Sequence, residues 1–148
     1  MSFTANVKAE ICSIETTEPE KISELSAILS NISEIDKTIK ISTENLVVFK
    51  HIYDLIFNIY HIKPIITVRQ GYNFNKNYLY ILEINQDIQS ILDSLSIENN
   101  SKVLSIPKQY IIDDFELLRS YIRGLFIAVG SINDPKTSRY HLELIVNK

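Results

Sequence analysis

Histidine and cysteine are the side chains here best suited to metal binding or nucleophilic chemistry, and their spacing argues against both. His51, His61 and His141 are too far apart for any familiar ligand spacing, and no H-E-x-x-H or C-x-x-C pattern accompanies them. Cys12 is the only cysteine, which excludes an internal disulfide and a cysteine-based zinc site. We therefore predict no metal and no cofactor.

Two adjacent carboxylates, Asp113 and Asp114, have the chemistry for acid–base catalysis. They stand directly before an apolar helical pattern, where a carboxylate accepts backbone N–H bonds and favours the positive end of the helix dipole. Capping is therefore the preferred interpretation of this pair. The sequence also lacks a glycine-rich phosphate loop and a serine in a nucleophile-elbow context, so we predict that the protein is not an enzyme.

The composition predicts one soluble domain with an ordinary core. The chain has 148 residues, of which 45% are hydrophobic, and no apolar run approaches the roughly 20 residues that cross a bilayer. The segment Met1–Thr4 has no signal-peptide features, so a cytoplasmic protein without membrane contact is expected. The formal net charge is −3 and the basic residues are scattered, which predicts weak affinity for nucleic acid.

Apolar periodicity predicts the elements that must position any functional side chain. Phe3, Val7 and Ile11 recur at helical spacing, and Thr17–Glu20 reads as a capping box that opens a second helix. The further predicted elements are a strand over Thr38–Ser42, a helix that Asn45 caps and that stops before Pro64, hairpin strands over Ile65–Arg69 and Tyr78–Ile84, a short helix that Asn85 caps, a loop over Ser96–Lys102, and a helix over Phe115–Val129.

The last of these helices is predicted to be apolar on two sides and therefore central. Its broad apolar face comprises Phe115, Leu118, Ile122, Leu125, Phe126 and Val129. A glycine in mid-helix costs close to 1 kcal/mol against alanine, so Gly124 indicates a close approach of another helix.

The partner helix is suggested by aligning Leu25–Ile35 with Ile122–Ile132. This alignment places Ala27 beside Gly124 and Asn31 beside Ala128, and both segments run into a turn and an alternating stretch. An internal duplication explains this likeness. Spacing alone leaves it about equally open that two unrelated helices both end in a strand.

The stretch Leu118–Pro135, followed by Tyr140–Glu143, closely resembles the signature of the bacterial WhiA family, as does the opening Ser2–Glu10. The likeness implies an α+β fold of the LAGLIDADG homing-endonuclease type, in which two motif helices pack at a pseudo-twofold centre. The chain would hold one complete α-β-β-α-β-β-α-type repeat and the start of a second. The expected divisions are an amino-terminal helix (1–16), the first repeat (17–97), a linker (98–112) and the truncated second repeat (113–148).

The resemblance also implies a function: family members are DNA-binding transcriptional regulators linked to sporulation and cell division. In LAGLIDADG proteins that cut DNA, each motif helix ends in an acid that holds a divalent metal. Here those positions fall on Ile32 and Val129, which cannot ligate a cation. Glu34 and Asp134 lie nearby, but beyond the helix ends. We therefore expect a non-catalytic protein.

Strands and hairpin tips face the duplex in the domains that this chain resembles, and these surfaces carry Lys40, Arg69, Lys76 and Arg139. They are the candidate DNA contacts, although ordinary solvated side chains would look the same. The expected partner is duplex DNA, bound weakly, at the nucleoid.

A second class of function is a protein-interaction or dimerisation module, with DNA held by a helix-turn-helix domain that this chain lacks. A truncated second repeat would leave apolar faces exposed, which predicts a homodimer, strand exchange or contact with the transcription machinery.

Overall fold

The computed structural model describes residues 2–71, 78–97, 111–136 and 141–146. Helix α1 spans Phe3–Cys12 and is capped by Ser2, whose hydroxyl oxygen accepts the N–H of Ala5. Helix α2 spans Glu18–Ile32. Both bonds of its capping box are present. The backbone N–H of Thr17 donates to the carboxylate of Glu20, and the backbone N–H of Glu20 donates to the hydroxyl of Thr17, so two N–H groups that the first turn leaves unpaired are satisfied. Both predicted helices are confirmed.

A four-stranded antiparallel sheet follows, in the order β1-β2-β4-β3. Its strands are β1 Ser33–Ile35, β2 Ile39–Thr43, β3 Ile65–Gln70 and β4 Tyr78–Ile84. Strands β2, β3 and β4 match the predicted segments to within one residue. Strand β1 was not predicted, because three residues that continue directly from a helix are too few to show an alternating pattern. The tip between β3 and β4, from 72 to 77, lies outside the described residues.

Helix α3, Leu46–Tyr60, and helix α4, Ile88–Ser94, complete the first repeat. Asn45 caps α3 as predicted, accepting the N–H of Val48 at 3.1 Å. The prediction that Asn85 caps α4 is wrong. The residue before α4 is Asp87, whose left-handed backbone (φ 54°) redirects the chain two residues after the predicted cap. Beyond Ile97, the predicted loop up to Lys102 is not described.

The core lies between one face of this sheet and the helices α2, α3 and α4. The alternating side chains of β2 and β4 that face the helices are fully buried against an apolar stripe on each helix. The largest of these side chains are Leu25, Ile28, Leu29, Ile39, Ile41, Ile52, Ile56, Leu82, Ile84, Ile91 and Leu92. The opposite face of the sheet is open.

Helix α5 spans Phe115–Val129 and leads into a two-stranded sheet of β5, Gly130–Ile132, and β6, Leu142–Leu144. Of the two candidate caps, Asp114 is the one that accepts a helix N–H, that of Leu117, at 2.9 Å. The order α2-β1-β2-α3-β3-β4-α4 forms one complete α-β-β-α-β-β-α repeat. The order α5-β5-β6 repeats its first three elements, so the expected α+β architecture is confirmed.

The predicted broad apolar face of α5 is only partly buried. Phe126 is buried, whereas Phe115, Leu118 and Ile122 are 71%, 37% and 48% exposed. The reason is that α5 turns its small residues, Ser120 and Gly124, towards α2. Within the described part of the chain, no helix is long and apolar enough to cross a membrane.

Candidate nucleic-acid interface

The most extensive contact between two elements joins α2 and α5. Gly124 faces α2 so closely that a Cβ atom built on it would lie 2.3 Å from the carbonyl oxygen of Glu24 and 2.9 Å from Cβ of Ala27. Ala27 is fully buried. Of the other two proposed packing residues, Asn31 donates its side-chain N–H to the carbonyl of Ala27 within its own helix, and Ala128 is half-buried.

The carboxyl ends of these two helices are where a LAGLIDADG nuclease would hold metal. Helix α2 ends at Ile32, which packs partly buried against the core, and α5 ends at Val129. Neither side chain has an atom that could ligate a cation. Of the two nearby acids, Asp134 accepts the N–H of Lys136 at 2.9 Å, so it serves a turn, and Glu34 belongs to strand β1.

The open face of the four-stranded sheet is polar along one row. Lys40 of β2 lies directly between Glu34 of β1 and Glu83 of β4, and its Nζ atom is 3.8 Å from Oε1 of Glu83. Two acids thus flank one lysine. They reduce the positive potential that Lys40 presents to an approaching phosphate.

Arg69 occupies the same face at the far end of β3. It pairs in register with the apolar Leu79, is exposed, and makes no ion pair with any described residue. Arg69 and Lys40 belong to different rows of paired residues, four residues apart along the strands. The two cations are therefore separated by roughly 13 Å along the strand direction. The hydroxyl side chains Ser42 and Thr67 line the open depression between them.

The other two candidate contacts cannot be placed, since Lys76 and Arg139 lie outside the described residues. Sequence reasoning did not find the acids beside Lys40. Glu34 precedes Lys40 by six residues and Glu83 follows it by 43, and only the strand register brings all three into one row.

A second polar cluster lies between α2 and α3, and sequence reasoning missed it as well. Glu24 is buried, and its carboxylate is 2.8 Å from Nε2 of His51 on α3. Burial raises the pKa of the nearby Cys12 thiol to about 12, and the charge of Glu24 adds to this effect. Burial lowers the pKa of Lys8 on α1. A glutamate in mid-helix gives no sequence signal that it will be buried.

Comparison with known proteins identifies the same architecture. Residues 18–98 match the family model of the WhiA N-terminal LAGLIDADG-like domain, and residues 118–148 match that of the WhiA LAGLIDADG-like domain. A crystal structure of the N-terminal LAGLIDADG domain of DUF199/WhiA superposes with a TM-score of 0.71 at 23% identity, covering 98% of this chain and 66% of that one. Full-length DUF199/WhiA from Thermatoga maritima superposes with a TM-score of 0.69 at 21% identity, over 100% of this chain and 46% of that one.

Curated relatives are also similar in sequence. Proteins named probable cell division protein WhiA are 35% identical in Pediococcus pentosaceus, 36% in Staphylococcus saprophyticus and 37% in Lactobacillus acidophilus. Each comparison covers 97% of this chain and 48% of the relative, so the chain spans about half the length of the curated relatives it matches. Because the first family model alone matches more than half of the 148 residues, the chain belongs to the WhiA family.

Proposed function

We propose that this chain is a non-catalytic, LAGLIDADG-derived part of a DNA-binding transcriptional regulator of cell division and sporulation, acting at the nucleoid in the cytoplasm. The relatives' name supports the link to cell division. The observation that carries the proposal is a contrast within the fold. The helix ends hold the apolar Ile32 and Val129, whereas the open sheet face keeps polar and basic side chains such as Arg69.

The absence of cleavage follows from the chemistry of phosphodiester hydrolysis. Metal ions must stabilise both the attacking and the leaving oxygen, and hard cations require oxygen ligands. A branched apolar side chain at both helix ends removes both ligands. We expect a supercoiled plasmid incubated with the protein and Mg²⁺ or Mn²⁺ to remain uncut, and nicking above that of a no-protein control would overturn this part of the proposal.

DNA contact is assigned to the open face of the sheet, with Arg69 as its main phosphate ligand. Lys40 is compensated by Glu34 and Glu83, so it contributes little net attraction, whereas Arg69 has a guanidinium that no described acid neutralises. A surface with so few free cations binds DNA weakly and mainly at low salt.

The test is fluorescence anisotropy with a duplex oligonucleotide over a series of salt concentrations. Arg69→Ala should weaken binding several-fold and reduce the salt slope by about one. The double variant Glu34→Gln/Glu83→Gln should tighten binding, because it frees Lys40. Lys50→Ala is the matched control, since Lys50 is exposed on α3, in the layer that covers the opposite face of the sheet. Equal weakening by Arg69→Ala and Lys50→Ala, together with no tightening in the double variant, would rule out this face.

A second candidate function is a protein-interaction or dimerisation module. The observation that favours it is the exposure of large apolar side chains in the second repeat: Phe115, Leu118 and Ile122 of α5, and Leu142 of β6, which is 60% exposed. In this case a separate helix-turn-helix domain would hold the DNA. Stable association of this chain without any salt-dependent DNA binding would select this alternative.

A further inference from the structure

Strand β3 is an edge strand that has little protection. Among the described residues it pairs only with β4, so the backbone N–H and C=O groups along its other side have no strand partner. All six of its residues are exposed. Ile66 and Val68, on the helix side of the sheet, are each 51% exposed, and Ile65 on the open side is 46% exposed. Such an edge is a template for another strand.

We propose that a second copy of this chain docks on this edge, so that two β3 strands pair antiparallel about a twofold axis at Thr67. The two four-stranded sheets then form one continuous sheet. The contact is isologous, because each copy offers the same strand, and it therefore closes as a dimer. This inference does not depend on DNA binding.

The register follows from the residues of the strand. Pro64 has no N–H to donate, so the ladder begins at Ile65, and with the twofold axis at Thr67 it ends at Arg69 of the second copy. This register places Ile66 of each copy opposite Val68 of the other, so two such apolar pairs form on the helix side of the sheet. Moving the axis by one residue to Val68 would instead place Ile66 opposite the polar Gln70, which makes that register poorer.

Space for the second copy exists on the helix side. Helix α3 packs on β2 and β4, and the exposure of Ile66 and Val68 shows that the helices leave β3 uncovered. In the dimer, Ile66 and Val68 of each copy are covered by Val68 and Ile66 of the other copy. The burial of apolar side chains adds to the backbone hydrogen bonds of the new ladder.

Charges on the open face agree with this register. Arg69 of the second copy lies opposite Ile65, whose partner in β4 is Glu83, followed across the sheet by Lys40 and Glu34. From Arg69 of the second copy inwards, the charged side chains of this row therefore alternate between positive and negative. Arg69 and Glu83 lie two strands apart, about 10 Å between Cα atoms, which their long side chains span. The two Arg69 residues stand at opposite ends of the ladder and do not repel each other.

Disulfide trapping tests the axis directly. In a Cys12→Ala background, Thr67→Cys puts two thiols in directly opposed positions, with Cα atoms about 5 Å apart, within the range of a disulfide. Ile65→Cys is the matched control on the same face, because its two copies lie roughly 14 Å apart in this register. Mild oxidation should convert Thr67→Cys to a covalent dimer at least tenfold faster than Ile65→Cys. Equal rates, or a faster reaction of Ile65→Cys, would overturn the proposed register.

Sedimentation of the unmodified chain at concentrations from micromolar to millimolar tests the interface. A short ladder gives a small contact, so the dimer should populate only towards the upper end of this range. Val68→Lys, at an exposed position where the monomer should keep its circular dichroism spectrum, should raise the dissociation constant at least tenfold. Ile122→Lys on the exposed face of α5 should leave it unchanged. A chain that stays monomeric throughout, or a dimer that only Ile122→Lys disrupts, would refute the proposal.

Discussion

The carbonyl oxygen of Glu24 occupies the space that a side chain at Gly124 would need: a Cβ atom there would approach it to 2.3 Å. The same residue's carboxylate reaches away from α5 to His51 on α3, at 2.8 Å. At Glu24 the motif helix of the first repeat is thus closely approached by its partner helix on the backbone side and is hydrogen-bonded to α3 through the side chain. Both contacts can be tested separately.

Gly124→Ala should destabilise the fold although it favours the helix. Alanine gains close to 1 kcal/mol of helix propensity, but its Cβ must displace a backbone oxygen, and overpacking of this kind costs about 1–3 kcal/mol or more. We expect a net fall of about 1–2 kcal/mol in the free energy of unfolding, measured in urea. Arg119→Ala, at an exposed position of the same helix, is the control and should stay within about 0.5 kcal/mol of the parent. A Gly124→Ala variant as stable as this control would show that the helices separate without cost.

His51→Leu should be among the most damaging single substitutions, because it leaves the buried Glu24 carboxylate without its partner. Leaving a buried acceptor without its hydrogen-bond partner costs about 1–3 kcal/mol, and more when the group is charged, whereas replacing both partners with apolar residues can be nearly neutral. The double variant Glu24→Leu/His51→Leu should therefore recover most of the loss, and His51→Gln should lose less than His51→Leu. A double-mutant cycle by urea unfolding gives the coupling. Strict additivity of the two single losses would contradict the pairing.

The sequence was informative where local chemistry decides the structure. The helix starts at Ser2, Thr17, Asn45 and Asp114 follow from side chains that bind their own backbone, and the strand segments follow from alternation. It was not informative where distant elements decide. The burial of Glu24 depends on α3, and the acids beside Lys40 depend on strand register.

Helix α5 shows both cases within 15 residues. Gly124 indicated a close helix contact, and the structure places Ala27 and the Glu24 carbonyl against it. The bulky stripe suggested burial on a second side, yet Phe115 and Ile122 are exposed. Amphipathicity marks a face that is suited to packing but does not say whether another element covers it.

Thr4 should be required for docking the amino-terminal helix onto the second repeat. Its hydroxyl donates to the carbonyl oxygen of Ile132 and accepts the N–H of the same residue, each at 3.1 Å, across 128 positions of sequence. Thr4→Val keeps the shape of the side chain but leaves both groups of Ile132 without this partner, which costs about 1–3 kcal/mol. Amide exchange at Ile132 should accelerate, while Thr4→Ser, which keeps the hydroxyl, should exchange as the parent does. Unchanged exchange in Thr4→Val would mean that solvent replaces the bond freely.

Cys12 should react slowly with alkylating agents in the folded protein and should make stability depend on pH in the alkaline range. Burial and the nearby Glu24 carboxylate raise the pKa of its thiol from the ordinary 9.0 to about 12, so at pH 8 the folded protein holds on the order of a thousandth of the thiolate that the unfolded chain holds. Alkylation at pH 8 should therefore be up to about a thousandfold slower in the folded protein than in the urea-unfolded chain.

The sign of the pH dependence follows from proton linkage. Between pH 9 and pH 12 the folded state keeps the thiol proton that the unfolded chain releases, so the stability that Cys12 contributes is complete below about pH 9 and is lost as pH rises towards 12. Comparing the parent with Cys12→Ala by urea unfolding isolates this contribution, because the other titrating groups are common to both. The difference between the two proteins should shift in favour of Cys12→Ala as pH rises from 8 to 11. A difference that stays constant over this range would mean that the thiol ionises in the folded state as easily as it does in water.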